Sequence, residues 1–192
     1  MALIVVGGQA KHVGKTTLVC NIIRKFPQFE WTAVKITSHI HAAKDAQPLA
    51  AGAGWTISQQ LSGDADCDTG RFLHAGALRS ILVFSQPQAL ADACAALLRH
   101  LSESEKAIVE SSSALSLLRP KLSLLVIDPD GAEFKASARE QFASFNALVA
   151  REQRSETITG SAEIDGKTPM FRSELYGLDP DLTCLLEAVL VC

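Results

Sequence analysis

The chain has 192 residues, of which 47% are hydrophobic and 20% are charged, and its formal net charge at pH 7 is −3. This length and apolar fraction suit a substantial core, so we predict a single domain over residues 1–192. A chain with net negative charge lacks the basic surface that nonspecific nucleic-acid binding or attraction to an anionic membrane requires. We therefore expect neither nucleic acid nor a membrane as a partner.

Five cysteines are scattered along the chain without a Cys-x-x-Cys pair. This pattern is typical of reduced thiols in the cytosol and does not suggest a disulfide framework. Polar or charged residues interrupt every apolar segment before it reaches the length of a membrane span. We therefore expect a cytoplasmic protein.

The first element along the chain is an apolar strand that leads into a glycine loop. The apolar run covers residues 3–6, and the loop ends in Gly14-Lys15-Thr16 before apolar residues begin at helical spacing. This order is typical of a P-loop, in which backbone N–H groups and a helix N-terminus contact phosphate oxygens. In such a loop Lys15 reaches the β- and γ-phosphates, and the Thr16 hydroxyl binds Mg²⁺. The alternative is a plain glycine turn that caps a helix.

Five residues separate Gly8 from Gly14, whereas the common P-loop has four. The longer form resembles the loops of dethiobiotin synthetase and the cobyrinic acid amide synthases, in which Val often precedes Gly-Lys-Thr, as Val13 does here. The residues predicted to hold the triphosphate of GTP or ATP are Gly8, Lys11, His12, Val13, Gly14, Lys15, Thr16 and Thr17. For Lys11 two interpretations stay open, a second positive charge beside the phosphates or an exposed loop lysine.

Further along, apolar runs alternate with helical patterns. Strands are predicted at residues 31–36, 80–84, 106–110, 122–127, 146–150 and 169–171. Helices are predicted at residues 15–26, 136–142 and 180–190. Another helix is predicted after an N-cap at Ser85, with Pro87 in its first turn and an apolar face from residue 90 to residue 101, and residues 71–77 are predicted to form a short helix or turn. Residues 37–69 are predicted to form a long loop that could act as a lid over the site. Together these elements predict an α/β fold of the three-layer P-loop NTPase type, with a mostly parallel central sheet flanked by helices.

Three charged residues lie at the ends of predicted strands. Because a parallel sheet collects the carboxyl ends of its strands along one edge, Lys35, Glu110 and Asp128 can lie near the loop. Glu110 stands where a carboxylate would orient Mg²⁺, and the alternative is a carboxylate that caps the next turn. Lys35 is predicted to pair with an anionic ligand, since an unpaired ammonium is costly to bury. Asp128 opens an Asp-Pro-Asp-Gly turn, so a structural role is favoured for it.

Residues 3–128 resemble the molybdopterin-guanine dinucleotide biosynthesis protein B (MobB) family. Residues 34–41 are similar to the second strand and His-rich loop of that family, and residues 68–71 with 75–77 are similar to its Asp-Ser-x-Arg and Ala-Gly-Ala pair. The segment Ile108-Val109-Glu110 resembles the Val-Glu-Gly strand end, with Ser111 in place of the glycine, and Pro120-Lys121 resembles a Pro-Lys step before the next strand.

The resemblance implies an adapter, a slow Mg²⁺-dependent GTPase that serves molybdenum-cofactor nucleotide attachment. It also implies a molybdenum-cofactor biosynthesis protein as partner, and a homodimer. GTP preference is implied by the resemblance alone, because the sequence contains no Asn-Lys-x-Asp guanine signature. The competing hypothesis is an ATP-dependent small-molecule ligase or kinase of the dethiobiotin synthetase type, which the five-residue spacing favours. A third is a binding module that has lost turnover.

We assign Mg²⁺ binding to Thr16 and Glu110, and catalysis to these two residues with Lys15 and Lys35. Asp68 and Arg71 either hold phosphate or Mg²⁺, or cap and pin the Ala-Gly-Ala turn, and both interpretations stay open. The remaining candidates are His39, His41 and Cys67. Their spacing fits no standard metal site, so solvated loop side chains are favoured over a metal site.

Overall fold

The computed structural model describes residues 2–39, 45–128, 136–151, 168–173 and 177–191. Within these residues nine strands form one sheet, and six α-helices accompany it. The strands are β1 (Ala2–Gly8), β2 (Thr32–Thr37), β3 (Ala46–Gly52), β4 (Trp55–Gln60), β5 (Arg79–Ser85), β6 (Lys106–Glu110), β7 (Leu122–Ile127), β8 (Ala147–Arg151) and β9 (Met170–Ser173). The helices are α1 (Lys15–Lys25), α2 (Asp68–His74), α3 (Leu90–Arg99), α4 (Leu115–Leu118), α5 (Ala136–Glu140) and α6 (Pro180–Val191). In these ranges no helix is both long enough and apolar enough to cross a membrane.

The strand order in the sheet is β3-β4-β5-β2-β6-β1-β7-β8-β9. Every neighbouring pair from β5 to β9 is parallel, whereas β4 pairs antiparallel with both β5 and β3. The predicted α/β fold with a mostly parallel sheet is therefore confirmed. The carboxyl ends of β2, β6, β1 and β7 lie side by side along one edge of the sheet.

The two faces of the sheet carry separate apolar cores. On the first face, Ile4 and Val6 of β1 pack with residues of α1, α2 and α6. On the second face, Leu3 and Val5 pack with residues of α3, α4 and α5. Strand β1 is buried on both sides because its residues are apolar without interruption, and each large side chain so buried contributes about 1.5–3 kcal/mol. This burial fixes the strand from which the glycine loop emerges.

The long loop predicted over residues 37–69 is wrong where the structure describes it. Strands β3 and β4 form an antiparallel hairpin, and α2 begins within the predicted loop, at Asp68. The hairpin extends the sheet beyond β5. Ala and Gly have low strand propensity, so the run at residues 50–54 gave no pattern typical of a strand. Residues 40–44 lie outside the described residues.

Glu105 links the amino-terminal ends of three strands. Its Oε1 atom accepts hydrogen bonds from the Thr32 hydroxyl and from Arg79 Nη1, both at 2.7 Å, and its Oε2 atom accepts one from the Ser102 backbone N–H. Burial by itself would raise the pKa of this carboxyl. The hydrogen bonds from Ser102 and Thr32 and the charge of Arg79 outweigh burial and hold the pKa below the usual value of a glutamate.

A carboxyl whose pKa is lower in the folded than in the unfolded state stabilises the protein above the unfolded value, and this contribution is lost as pH falls through the folded value. We expect Glu105→Gln to lower the free energy of unfolding by about 1–2 kcal/mol at pH 7. Below pH 4.5 the difference from wild type should shrink toward zero. Urea unfolding across this pH range measures it. The control is Glu103→Gln, at an exposed position in the same turn, and an equal loss there would contradict the prediction.

Candidate functional site

The glycine loop joins β1 to α1 and covers residues 8–17. Gly14 is the residue before α1 and has a φ angle of 101°, in the left-handed region that favours glycine. A Cβ atom on Gly8 would lie 2.7 Å from Lys15 Cδ and 2.8 Å from Val13 Cγ2. Only glycine therefore lets these two side chains pack over the end of β1. The loop conformation depends on both glycines that mark the sequence pattern.

Inside the loop, the predicted residues take different positions. Lys15 is half-buried, and its Nζ atom donates to the Ala10 carbonyl at 3.0 Å, so the side chain folds back over the loop. Val13 is buried in the core of the first face. Lys11 and His12 are exposed, and Thr17 is half-buried behind them at the start of α1. Lys15 is therefore placed to contact a ligand on the inner side of the loop, and Lys11 on the exposed side of the loop.

Four side chains that are far apart in the sequence form one hydrogen-bonded group, which we call the Thr16 cluster: Thr16, Lys35, Asp68 and Glu110. The Thr16 hydroxyl lies 2.8 Å from Glu110 Oε2 and 3.0 Å from Asp68 Oδ1. Lys35 Nζ lies 2.5 Å from Glu110 Oε1 and 2.8 Å from Asp68 Oδ2. Three of these residues were predicted to act together, and the structure brings Asp68 to them.

The fold explains why these residues meet. Lys35 and Glu110 are direct partners in the register of β2 and β6. Their preceding residues, Val34 and Val109, belong to the core of the second face, so Lys35 and Glu110 point to the first face. Helices α1 and α2 cover that face, and Thr16 and Asp68 lie in their first turns. Strand register and helix packing together bring the four groups into contact.

Electrostatics favour the charged forms of Lys35 and Asp68. Burial by itself would lower the pKa of Lys35, but the negative charges of Glu110 and Asp68 outweigh burial and raise it. Burial likewise works to raise the pKa of Asp68, and the Lys35 ammonium, the Thr16 hydroxyl and Arg71 together hold it below its usual value. Glu110 has only 1% of its side chain exposed. The cluster thus holds two carboxylates, one ammonium and one hydroxyl.

Arg71 and Cys67 take supporting positions near the cluster. Arg71 Nη1 lies 3.8 Å from Asp68 Oδ1, and 41% of the Arg71 side chain is exposed. Cys67 is the residue before α2, and its Sγ atom accepts a hydrogen bond from the Gly70 N–H at 3.3 Å. Cys67 therefore caps the helix, so that Asp68 can contact Thr16 and Lys35. Of the two interpretations left open for Asp68, this arrangement favours a place in the site.

The other candidates lie apart from the cluster. The Asp128 backbone N–H donates to Gln9 Oε1 at 2.8 Å, which ties the end of β7 to the loop. His39 is exposed, and His41 lies outside the described residues. Within the described ranges, no group of three or more His, Cys, Asp or Glu side chains could hold a metal ion. An oxygen site made from two carboxylates and a hydroxyl is the arrangement that the described residues offer.

Two residues near the loop were not found from the sequence. Ser112 Oγ accepts a hydrogen bond from the Gly8 N–H at 3.0 Å and donates one to the Gly8 carbonyl at 3.2 Å. Gln9 is 2% exposed, and its backbone N–H donates to the Val126 carbonyl at 2.9 Å. Ser112 comes from the turn after β6, so only the three-dimensional neighbourhood of β6 and β1 could have identified it.

No family model matches this chain, and no curated protein matches it either.

Proposed function

We propose that this protein binds a nucleoside triphosphate with Mg²⁺ and hydrolyses it slowly. The observation that carries the proposal is the position of the Thr16 cluster directly beside the glycine loop, at the carboxyl edge of a parallel sheet. Ligands of open α/β sheets bind at this edge. A loop with the glycines and lysine of a P-loop next to an acidic oxygen cluster suits a polyphosphate and its cation. The fold that this proposal implies is that of the P-loop NTPases.

The residues of the cluster fit Mg²⁺ in their chemistry. Mg²⁺ is a hard cation that prefers oxygen ligands, usually one or two carboxylates together with phosphate oxygens and water. Thr16, Asp68 and Glu110 supply a hydroxyl and two carboxylates within hydrogen-bond distance of one another. Mg²⁺ would offset negative charge on the phosphates. Our prediction of Thr16 and Glu110 as ligands is therefore extended to Asp68.

The loop residues would bind and orient the phosphates. Backbone N–H groups of residues 8–17 and the N-terminus of α1 would contact phosphate oxygens, and Lys15 would turn from the Ala10 carbonyl to the β- and γ-phosphates. Thr17, His12 and Val13 shape this loop, and Lys11 approaches from its exposed side. Lys35 would add positive charge near the transferred phosphoryl group. In this mechanism binding and charge compensation carry most of the rate acceleration.

The physiological role that we propose follows the resemblance to the MobB family. In that role the protein is an adapter in molybdenum-cofactor biosynthesis, it prefers GTP, it forms a homodimer, and its partner is another protein of that process. The support comes from the Asp68 to Ala77 segment, which resembles the family in spacing and carries Asp68 into the Thr16 cluster.

Two observations favour a second candidate, an ATP-dependent ligase or kinase of the dethiobiotin synthetase type. The loop has the longer spacing, and the Lys35 ammonium lies within hydrogen-bond distance of the same carboxylates that would hold the cation. A lysine in that position could grip an anionic acceptor as well as a phosphate. Phosphate release that a small carboxylate stimulates would support the ligase, and nucleotide-dependent capture of a molybdenum-cofactor protein would support the adapter.

The test is a thermal-shift comparison of ATP, GTP and CTP, each with and without Mg²⁺. A ligand bound only by the folded state raises the free energy of unfolding, by about 2.7 kcal/mol at a concentration 100 times its Kd. We expect a rise in melting temperature with at least one nucleotide, and a larger rise when Mg²⁺ is present. The same melting temperature with all three nucleotides as without them would contradict nucleotide binding.

A further inference from the structure

Each carboxylate of the Thr16 cluster contacts the Lys35 ammonium with one oxygen atom and the Thr16 hydroxyl with the other. Asp68 binds Lys35 through Oδ2 and Thr16 through Oδ1. Glu110 binds Lys35 through Oε1 and Thr16 through Oε2. All four carboxylate oxygens therefore face Lys35 or Thr16. Lys35 donates to both carboxylates, whereas the single hydroxyl hydrogen of Thr16 is shared between Glu110 Oε2 and Asp68 Oδ1, so the contacts of the four side chains form a closed ring.

The ring of contacts offsets the repulsion between the two carboxylates in the nucleotide-free protein. Two carboxylates that share one hydroxyl repel each other, and Glu110 is 1% exposed, so water does little to screen its charge. Lys35, with 18% of its side chain exposed, supplies the positive charge that offsets this repulsion. The cluster is therefore stable without any bound ion.

We infer that Lys35 is the resident cation of the nucleotide-free cluster and that it excludes Mg²⁺ until a nucleoside triphosphate is bound. The inference rests on the proposed function, because it takes Thr16, Asp68 and Glu110 as the metal ligands. It goes further by assigning to Lys35 control over the order in which the two ligands bind.

The charges of the groups give the reason for this order. Two carboxylates and one ammonium leave a single net negative charge in the cluster, and Arg71, with Nη1 3.8 Å from Asp68 Oδ1, offsets part of that charge. The attraction of the cluster for a strongly hydrated divalent cation is therefore weak. Lys35 also holds one oxygen atom of each carboxylate, so a metal ion must compete with it and is repelled by it. A triphosphate on the glycine loop adds several negative charges nearby. The lysine stem is flexible, so its ammonium can then turn to a phosphate oxygen and leave the carboxylates to the metal.

Binding of the metal alone tests this order directly. Mn²⁺, a paramagnetic substitute for Mg²⁺, is titrated into nucleotide-free wild-type protein and into Lys35→Met, and free Mn²⁺ is measured by electron paramagnetic resonance. We expect Lys35→Met to bind Mn²⁺ about tenfold more tightly, or better, because the competing cation has been removed. GTP or ATP should strengthen Mn²⁺ binding in wild type far more than in the variant.

Thermal stability provides a second measurement. Lys35→Met should melt at a lower temperature than wild type in the absence of divalent ions, and MgCl₂ should restore much of the loss while leaving wild type nearly unchanged. The matched control is Arg79→Met, which removes a 2.7 Å ion pair with Glu105 at the amino-terminal ends of the parallel strands. MgCl₂ should not restore the melting temperature of that variant.

The outcomes separate this inference from the proposed function. Equal Mn²⁺ affinity of nucleotide-free wild type and Lys35→Met, with nucleotide binding intact, would overturn the inference alone. Lack of Mn²⁺ binding in both proteins, with and without GTP or ATP, would overturn the proposed function and the inference with it. Should Lys35→Met fail to fold, Lys35→Gln replaces it, since its amide still donates a hydrogen bond without a positive charge. The same gain in Mn²⁺ affinity is then required.

Discussion

Lys15→Ala should abolish the nucleotide-dependent rise in melting temperature and leave the fold intact. The ammonium makes charge-assisted hydrogen bonds to phosphate oxygens in the proposed complex, and the loss of two such bonds weakens binding by about 100-fold. The fold should tolerate the change, because Lys15 is half-buried at the start of α1 and alanine has high helix propensity. Thermal shift with Mg²⁺ and each nucleotide measures the effect, and far-ultraviolet circular dichroism checks the fold.

Lys11→Ala is the control for this variant, because it removes the same charge from the exposed side of the same loop. An unchanged shift in Lys11→Ala would identify Lys11 as an exposed loop lysine, and a partial loss would identify it as a second charge beside the phosphates. If Lys15→Ala kept the full nucleotide-dependent shift, the glycine loop could not be the phosphate site.

The second large effect is expected for Glu110→Gln, which keeps the size of the side chain and removes its charge. Metal-dependent nucleotide hydrolysis should fall by about 100-fold or more, because an amide oxygen is a much weaker ligand for a divalent cation than a carboxylate. Lys35 keeps Asp68 as a partner, at 2.8 Å, so the variant should fold. Phosphate release at saturating Mg²⁺ and nucleotide is the measurement.

Glu105→Gln is the matched control, since Glu105 also accepts a hydrogen bond within an ion pair, with Arg79. Glu105 precedes the start of β6, whereas Glu110 lies at the end of that strand. That variant should retain wild-type phosphate release. Full Mg²⁺-dependent turnover in Glu110→Gln would remove Glu110 from the metal site and leave it the structural role of holding Lys35 and Thr16.

The sequence predicted the central strands well because burial on both faces gives uninterrupted apolar runs. β1, β6 and β7 were predicted from such runs, and the parallel pairing of β2 with β6 brought Lys35 and Glu110 together as expected. The hairpin of β3 and β4 was missed because it is an edge feature. Its strands are only partly buried and rich in Ala, Gly and Gln, so packing against β5 determines their conformation.

Within the site, groups on strand ends were easier to predict than groups whose neighbours are set by packing. Asp68 had two open roles because the sequence could not show that Cys67, an unusual cap, precedes α2 and leaves Asp68 available. Ser112 was missed because its contact with Gly8 joins residues 104 positions apart. Such contacts depend on how β6 lies beside β1, which local patterns do not encode.

The outer strand β3 has one more consequence for the protein. Pro48 has no backbone N–H to donate, and the pairing register shifts between Pro48 and Ala50. A strand from another molecule pairs with an edge strand that offers regularly spaced backbone N–H and C=O groups, and β3 does not offer them. At high protein concentration, this edge of the sheet is therefore a poor template for a strand from a second molecule.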